Sequence, residues 1–350
     1  MSKISIIILL IIICSCSSDK LRVSDNIERI PIDIHDVSHD ASSFIEKIEI
    51  IPLETTDSSL IGNIGKIMYD KNMDMYAILG RNQIVSTFSG NGSFIATSKN
   101  VKGEGPKEHN MVLNMQFNPY VKGLDLLNPY GIIYTYSPTF KFISKKNIKS
   151  RFFLEASMAL SPDEYIITFP AIWTNQEVDF VNLKTNQTNV TNYSGTISSG
   201  NTMDRECFYR NGDNFYFVPK GLNYYFYQID QTEKKLIPII YLDFGDSEIQ
   251  EEDLPGCAVG EDTGVERTKS DNKRDYLIKG MQERSQFIRE GKLLVPLIKF
   301  FNDDYIYVYF ARGRKGYGGH YIYNRRKKQS FLVNEDKPFI MHPCFGIVDN

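Results

Sequence analysis

The sequence predicts an all-β chain of repeated four-stranded antiparallel units, and three observations carry that reading. The first is composition. Aromatic residues make up 13% of the 350, with 22 Phe and 21 Tyr against one Trp, and Tyr and Phe suit a pleated, half-buried surface. The second is alternation. Apolar and polar residues follow one another with period two over most of residues 44–240, the spacing at which successive strand side chains point to opposite faces. The third is recurrence. Second strands begin near Met75, Gly123, Tyr165, Phe215 and Tyr305, and the first three spacings are 48, 42 and 50 residues. These fit the roughly 40–50-residue period of four-stranded propeller blades, so the fold expected is a β-propeller.

The units follow in order. The first spans Ile64–Thr97. Met75–Leu79 is its second strand and Gln83–Ser89 its third, and Gly90-Asn91-Gly92 supplies a turn suited to positive φ. The second spans Leu113–Ser144, the third Met158–Val190 and the fourth Cys207–Ile240. The fifth begins at Leu297, with strands at Tyr305–Phe310 and His320–Asn324. Between the fourth and fifth, an insertion over 243–291 opens acidic and turns helical in pattern from about Asp271. Leu277, Met281 and Ile288 share one face there, and Tyr276 and Phe287 lie beside it. One amphipathic helix packed on the propeller is expected.

The N-terminus reads as a targeting segment. Lys3 precedes an apolar run from Ile4 to Ile13. A helical span of a bilayer needs roughly 20 apolar residues, so this run is the core of a signal peptide. Ile13-Cys14-Ser15-Cys16 resembles a bacterial lipobox, which implies lipidation of Cys16 and removal of residues 1–15. Residues 16–43 then form a tether and first strands, and 44–350 the propeller domain. The implied place is the cell envelope, lipid-anchored, on the outer membrane facing periplasm or exterior. Two or three acyl chains hold such an anchor without a transmembrane helix, at about 0.8 kcal/mol per buried CH₂.

Charge and cysteine content narrow the partners. The net charge of −3 argues against a nucleic-acid-binding protein. After Cys14 and Cys16 only Cys207, Cys257 and Cys344 remain. Their spacings match no metal motif, and they read as buried structural residues.

Ile51-Pro52-Leu53-Glu54-Thr55-Thr56 followed by Ser59-Leu60-Ile61-Gly62, the hairpin Phe88–Ile95, and the turn Gly103-Glu104-Gly105-Pro106-Lys107-Glu108 together resemble the six-bladed β-propeller lipoproteins of Bacteroides and its relatives, NHL-like in architecture. The match is good over residues 44–145 and looser to the end. It implies six blades but transfers no catalytic residue. The chain stops at Phe345–Asn350, which reads as the opening strand of a sixth blade. That blade is therefore incomplete, or closed by strands from Ile27–Ile34 and Ile48–Leu53.

Several residues are candidates for sites. Gly103–Pro106 superficially resembles a phosphate loop, but Pro106 removes an N–H donor and no Lys-Ser/Thr follows, so a structural turn is expected. His35 and His39 among Asp33, Asp36 and Asp40 lack a third ligand, and no metal or cofactor is expected. Arg312-Gly313-Arg314-Lys315-Gly316-Tyr317-Gly318-Gly319-His320 joins two strong strands, and at a funnel mouth Arg312, Arg314 and His320 could clamp an anion. Trp173, beside Thr174-Asn175-Gln176, could stack on a sugar. No G-x-S-x-G or H-E-x-x-H motif occurs. The function expected is binding of a glycan, peptide or partner protein. The alternative is a propeller enzyme of lactonase-like hydrolase or lyase type, since propellers host both classes.

Overall fold

A computed structural model describes residues 27–33, 47, 49–150, 153–170, 177–193, 206–220, 222–249, 253–255, 279–280, 282–283, 286–287, 294–312 and 319–334. These residues form five antiparallel sheets of four strands each, with one extra strand. The extra strand, β1 (Glu28–Pro31), comes first. Blade 1 is β2 (Ile64–Asp70), β3 (Met75–Gly80), β4 (Val85–Ser89) and β5 (Phe94–Thr97). Blade 2 is β6 (Asn114–Asn118), β7 (Gly123–Asn128), β8 (Ile132–Tyr136) and β9 (Phe142–Asn147). Blade 3 is β10 (Ala156–Ala159), β11 (Glu164–Thr168), β12 (Glu177–Asn182) and β13 (Gln187–Asn192). Blade 4 is β14 (Phe208–Asn211), β15 (Asn214–Phe217), β16 (Tyr225–Asp230) and β17 (Lys235–Asp243). Blade 5 is β18 (Leu294–Phe301), β19 (Tyr305–Arg312), β20 (Gly319–Asn324) and β21 (Gln329–Asn334). The first strands β2, β6, β10 and β14 lie against one another, so the sheets radiate from a common axis as propeller blades do.

Period two is what lets the blades stack. In β7, Leu124 and Leu126 face blade 1 and join Ala77, Leu79 and Val85 in one apolar cluster. Leu127 faces the other way, into a cluster with Tyr165 and Ile167 of blade 3. In β11, Ile166 in turn packs towards Phe215 and Phe217 of blade 4. In β19, Ile306, Val308 and Phe310 pack on Phe226 and Ile240 of blade 4. Each inner strand is thus apolar on both faces, and the core is a series of layers between sheets. At about 25 cal/mol per Å² of apolar surface removed from water, these layers dominate the stability.

Two expectations are corrected. Among the described residues there are five blades, not six. The N-terminal strand does not close a sixth: β1 pairs in parallel with β17 on the outer edge of blade 4, Glu28 opposite Ile240 and Pro31 opposite Asp243. The reason is apolar. Ile30 and Ile32 are buried in the layer between blades 4 and 5, and a strand with that stripe goes where a layer accepts it. Polar ties follow, because Arg325 in blade 5 holds Glu28 at 2.7 Å, Arg29 pairs with Asp243 at 3.0 Å, and Tyr321 Oη donates to Pro31 O. The packed amphipathic helix expected in the insertion is not seen among its described residues either. Its described residues show helical conformation only at 279–280, 282–283 and 286–287, plus a 3-10 turn at Gly245–Ser247. Phe287, expected beside the buried stripe, is exposed; Leu277, Met281 and Ile288 lie outside the described residues. The terminal segment Phe345–Asn350 lies outside them too.

The family-like motifs are structural, and two of them touch. Glu54 N–H donates to Gly92 O, and the Glu54 carboxylate accepts from Phe94 N–H. Gly92 has φ +88°, and a Cβ there would meet Pro52 O at 2.2 Å. Only glycine lets the Ile51-Pro52 segment pass over this hairpin. In the Gly103–Glu108 turn, the Glu108 carboxylate folds back onto Gly105 N–H at 2.9 Å. It occupies the place an anion would take, so the turn is structural and not a phosphate loop.

Candidate functional site at the propeller axis

Each first strand starts at the end of the propeller that carries the blade-to-blade links and the loops between second and third strands. We call this the entry end. The hairpins joining strands one to two and three to four lie at the opposite end. Near the entry end, polar side chains from four blades converge on the axis.

Lys66 of β2 is the centre. Its side chain is 5% exposed, and its ammonium makes three short contacts: Asn114 Oδ1 at 2.8 Å, Met115 O at 2.8 Å and Glu206 Oε2 at 2.6 Å. Asn114 and Met115 belong to blade 2, and Glu206 leads into blade 4. Glu206 is engaged at its other oxygen by Gln116 Nε2 at 2.5 Å. Asn114 Nδ2 also donates to Glu155 O, just before β10, and the Glu155 carboxylate pairs with Lys220 of blade 4 at 3.3 Å. Blades 1 and 4 are not neighbours in sequence order, so the Lys66–Glu206 pair bridges across the axis. An ammonium with three acceptors and a carboxylate held at both oxygens form a tie. This is the arrangement of a structural tie, in which each charge is matched by hydrogen-bond partners. The Glu155–Lys220 pair lies on the connecting segments nearer the mouth.

Two further polar constellations are internal. Between blades 2 and 3, buried Asp125 accepts from Asn118 Nδ2 (2.8 Å), Thr135 Oγ1 (2.6 Å) and Tyr165 Oη (2.8 Å), and Lys146 Nζ reaches Tyr165 Oη at 2.7 Å. Burial, then the Asp125 charge, pushes the Tyr165 hydroxyl far up from its ordinary value. In blade 5, buried Lys299 donates to Pro219 O and Asn223 O, both at 2.6 Å, tying its strand to a loop of blade 4.

The residues singled out from sequence fare differently. His320 is the second residue of β20, within a strand rather than a loop. It is buried, with Nδ1 2.8 Å from Tyr307 Oη and its ring 5.0 Å from that of Tyr309. Arg312 is the last residue of β19. Arg314 and Trp173 lie outside the described residues, as do Cys16, His35 and His39. Cys207 is buried, and burial holds its thiol well above the ordinary range; Cys257 and Cys344 lie outside the described residues. Among the described residues no three His, Cys, Asp or Glu side chains gather as a metal cluster, and no helix is long and apolar enough to cross a membrane. Sequence reasoning misses the axial set. A signal for it is present: Lys66 and Lys299 are cations embedded in largely apolar first strands, where lysine is rare without a partner. Glu155, Glu206 and Lys220 carry no such signal, because they lie in the links and loops.

Comparison with known proteins fixes the family. Residues 28–350 match the domain of unknown function DUF4934. The chain belongs to the DUF4934 family. Among solved structures, a Bacteroides fragilis protein described as a "putative exported protein" (BF0058) is similar over 89% of this chain and 80% of its own, at 13% identity and a TM-score of 0.65. At that identity the likeness of this DUF4934 chain shows a shared fold. The WD40 repeats of RRP9 are similar at 10% identity over 84% of this chain and 68% of theirs, with a TM-score of 0.42. No curated protein matches the chain.

Proposed function

We propose that this DUF4934 protein is an exported, lipid-anchored protein of the cell envelope whose propeller binds a ligand at its entry end. The observation that carries the reading is the convergence of Lys66, Asn114, Gln116, Glu155, Glu206 and Lys220 from four blades at one place on the axis. The Lys66–Glu206 tie crosses the axis, so in this reading a ligand docks at the mouth, beyond the tie. There the Glu155–Lys220 pair offers an anion and a cation side by side, a match for peptides or polar glycans. The lipobox-like Ile13–Cys16 and the likeness to the Bacteroides fragilis protein described as a "putative exported protein" support the location.

Two measurements test this. Panning the immobilised chain against defined peptide and oligosaccharide libraries is expected to enrich ligands that a Glu155→Ala/Lys220→Ala variant no longer retains. Equal enrichment by both proteins overturns the axial site. Metabolic labelling with radioactive palmitate is expected to mark the chain in membrane fractions and to fail for Cys16→Ser. An unlabelled wild-type chain removes the anchor.

A further inference from the structure

A second feature of the entry end is independent of the axial charges. Tyr130, in the loop between β7 and β8, is 66% exposed, and Phe153, in the link from blade 2 to blade 3, is 45% exposed. Their rings meet edge to face, centroids 5.1 Å apart at 75°. Such a pair is stabilising in itself, yet both rings remain largely in water, where a cluster of exposed aromatic surface marks a contact site.

The pair is held in place from beneath. Leu154 N–H donates to Pro129 O at 2.9 Å, joining the two segments that carry the rings. Tyr130 N–H donates to the buried Asn128 Oδ1 at 2.8 Å. A polar row then runs outward from the same point: Asn128 Nδ2 donates to Asn110 Oδ1 at 2.9 Å, and Asn110 Nδ2 donates to Glu104 Oε2 at 3.1 Å. Asn110 and Glu104 are both exposed. An amide retains a second N–H, and a carboxylate has about four lone-pair sites, so each has capacity beyond the bond it already makes.

We propose that Tyr130 and Phe153, with Asn110 and Glu104 beside them, form a binding platform for a neutral carbohydrate. A pyranose ring has an apolar C–H face and a rim of hydroxyls. The face suits an exposed aromatic ring, and the rim suits a neighbouring amide and carboxylate that fix orientation. Backbone bonds already fix the two ring-bearing segments, which lowers the ordering cost of binding. Glu104 selects against acidic sugars, because a like charge at this distance repels. A membrane surface is the poorer match, since an interfacial patch combines aromatic and cationic residues whereas this row ends in a carboxylate.

The test is isothermal titration of the mature chain with mannohexaose, cellohexaose, xylohexaose and β-1,4-galactohexaose, with an oligogalacturonate as the acidic counterpart. At least one neutral hexasaccharide is expected to bind with a Kd in the micromolar to low-millimolar range, and the acidic one not to bind. Tyr130→Ala and Phe153→Ala are each expected to weaken binding at least tenfold, while Tyr130→Phe, which keeps the ring, stays within about threefold. Glu104→Gln is expected to relax the discrimination against oligogalacturonate. Both rings are largely exposed, so the alanine variants lose only their mutual contact and stay folded, with thermal midpoints within about 5 °C of wild type, read on the same samples. No binding of any neutral hexasaccharide overturns the proposal, and so does binding that survives both alanine variants. Neither result bears on Glu155 and Lys220, which answer to the axial reading alone.

Discussion

His109 shows most clearly how this sequence sets the chemistry of single residues. It follows the Gly103–Glu108 turn, is fully buried, and packs edge-on against Tyr136. Among the described residues neither ring nitrogen has a hydrogen-bond partner. Burial therefore holds its pKa down at about 4, opposed by the neighbouring Ser98 backbone and helped by the charge of Lys102. The sign of the consequence follows from linkage. The unfolded chain, with an ordinary value near 6.5, binds the proton more readily, so stability is full above that pH and falls as pH drops towards 4. At about 1.4 kcal/mol per unit, the loss amounts to roughly 3 kcal/mol. Urea unfolding from pH 7.5 to 4.5 is expected to show a shallower pH dependence for His109→Phe than for wild type; parallel curves would mean that the ring ionises in place. The same burial makes Cys207 an inert core residue, in line with its lack of any motif partner in the sequence.

Among the elements, β1 is the most instructive. Four residues of strand on the outer edge of a blade look dispensable, yet Ile30 is fully buried and its neighbours tie blades 4 and 5 together. Ile30→Ala is expected to cost about 3 kcal/mol, in the range for deleting buried aliphatic groups. Arg325→Ala, which breaks the half-buried pair with Glu28, is expected to cost about 1 kcal/mol. Chemical denaturation of the two variants checks the order; a negligible cost for Ile30→Ala would show that β1 is an appendage. The blades themselves are legible in the sequence. Their period-two stripes and Gly-containing turns are local features, and the second strands expected near Met75, Gly123, Tyr165, Phe215 and Tyr305 are β3, β7, β11, β15 and β19. The placement of β1 is not legible there, since nothing in Glu28–Ile32 says which of several apolar layers will accept it.

For the whole molecule, the Lys66–Glu206 tie is the feature with most reach, because it couples blades that are not adjacent. Removing one partner leaves a charge in a nearly dry site, and such single losses cost several kcal/mol, while replacing both partners with apolar groups is far milder. Lys66→Met is expected to lose about 3 kcal/mol, and Lys66→Met/Glu206→Met to recover most of it. A double variant no better than the single would mean that the two charges act separately. Composition, alternation and repeat length were sufficient to determine an all-β propeller and the starts of its second strands to within one residue, because strand formation and blade length depend on residues close in sequence. The number of blades, the partner of β1, the axial tie and the Tyr130–Phe153 platform were decided only by the tertiary structure. Each joins segments well apart in the chain, and no local pattern encodes which side chains a radial stacking of sheets will bring face to face.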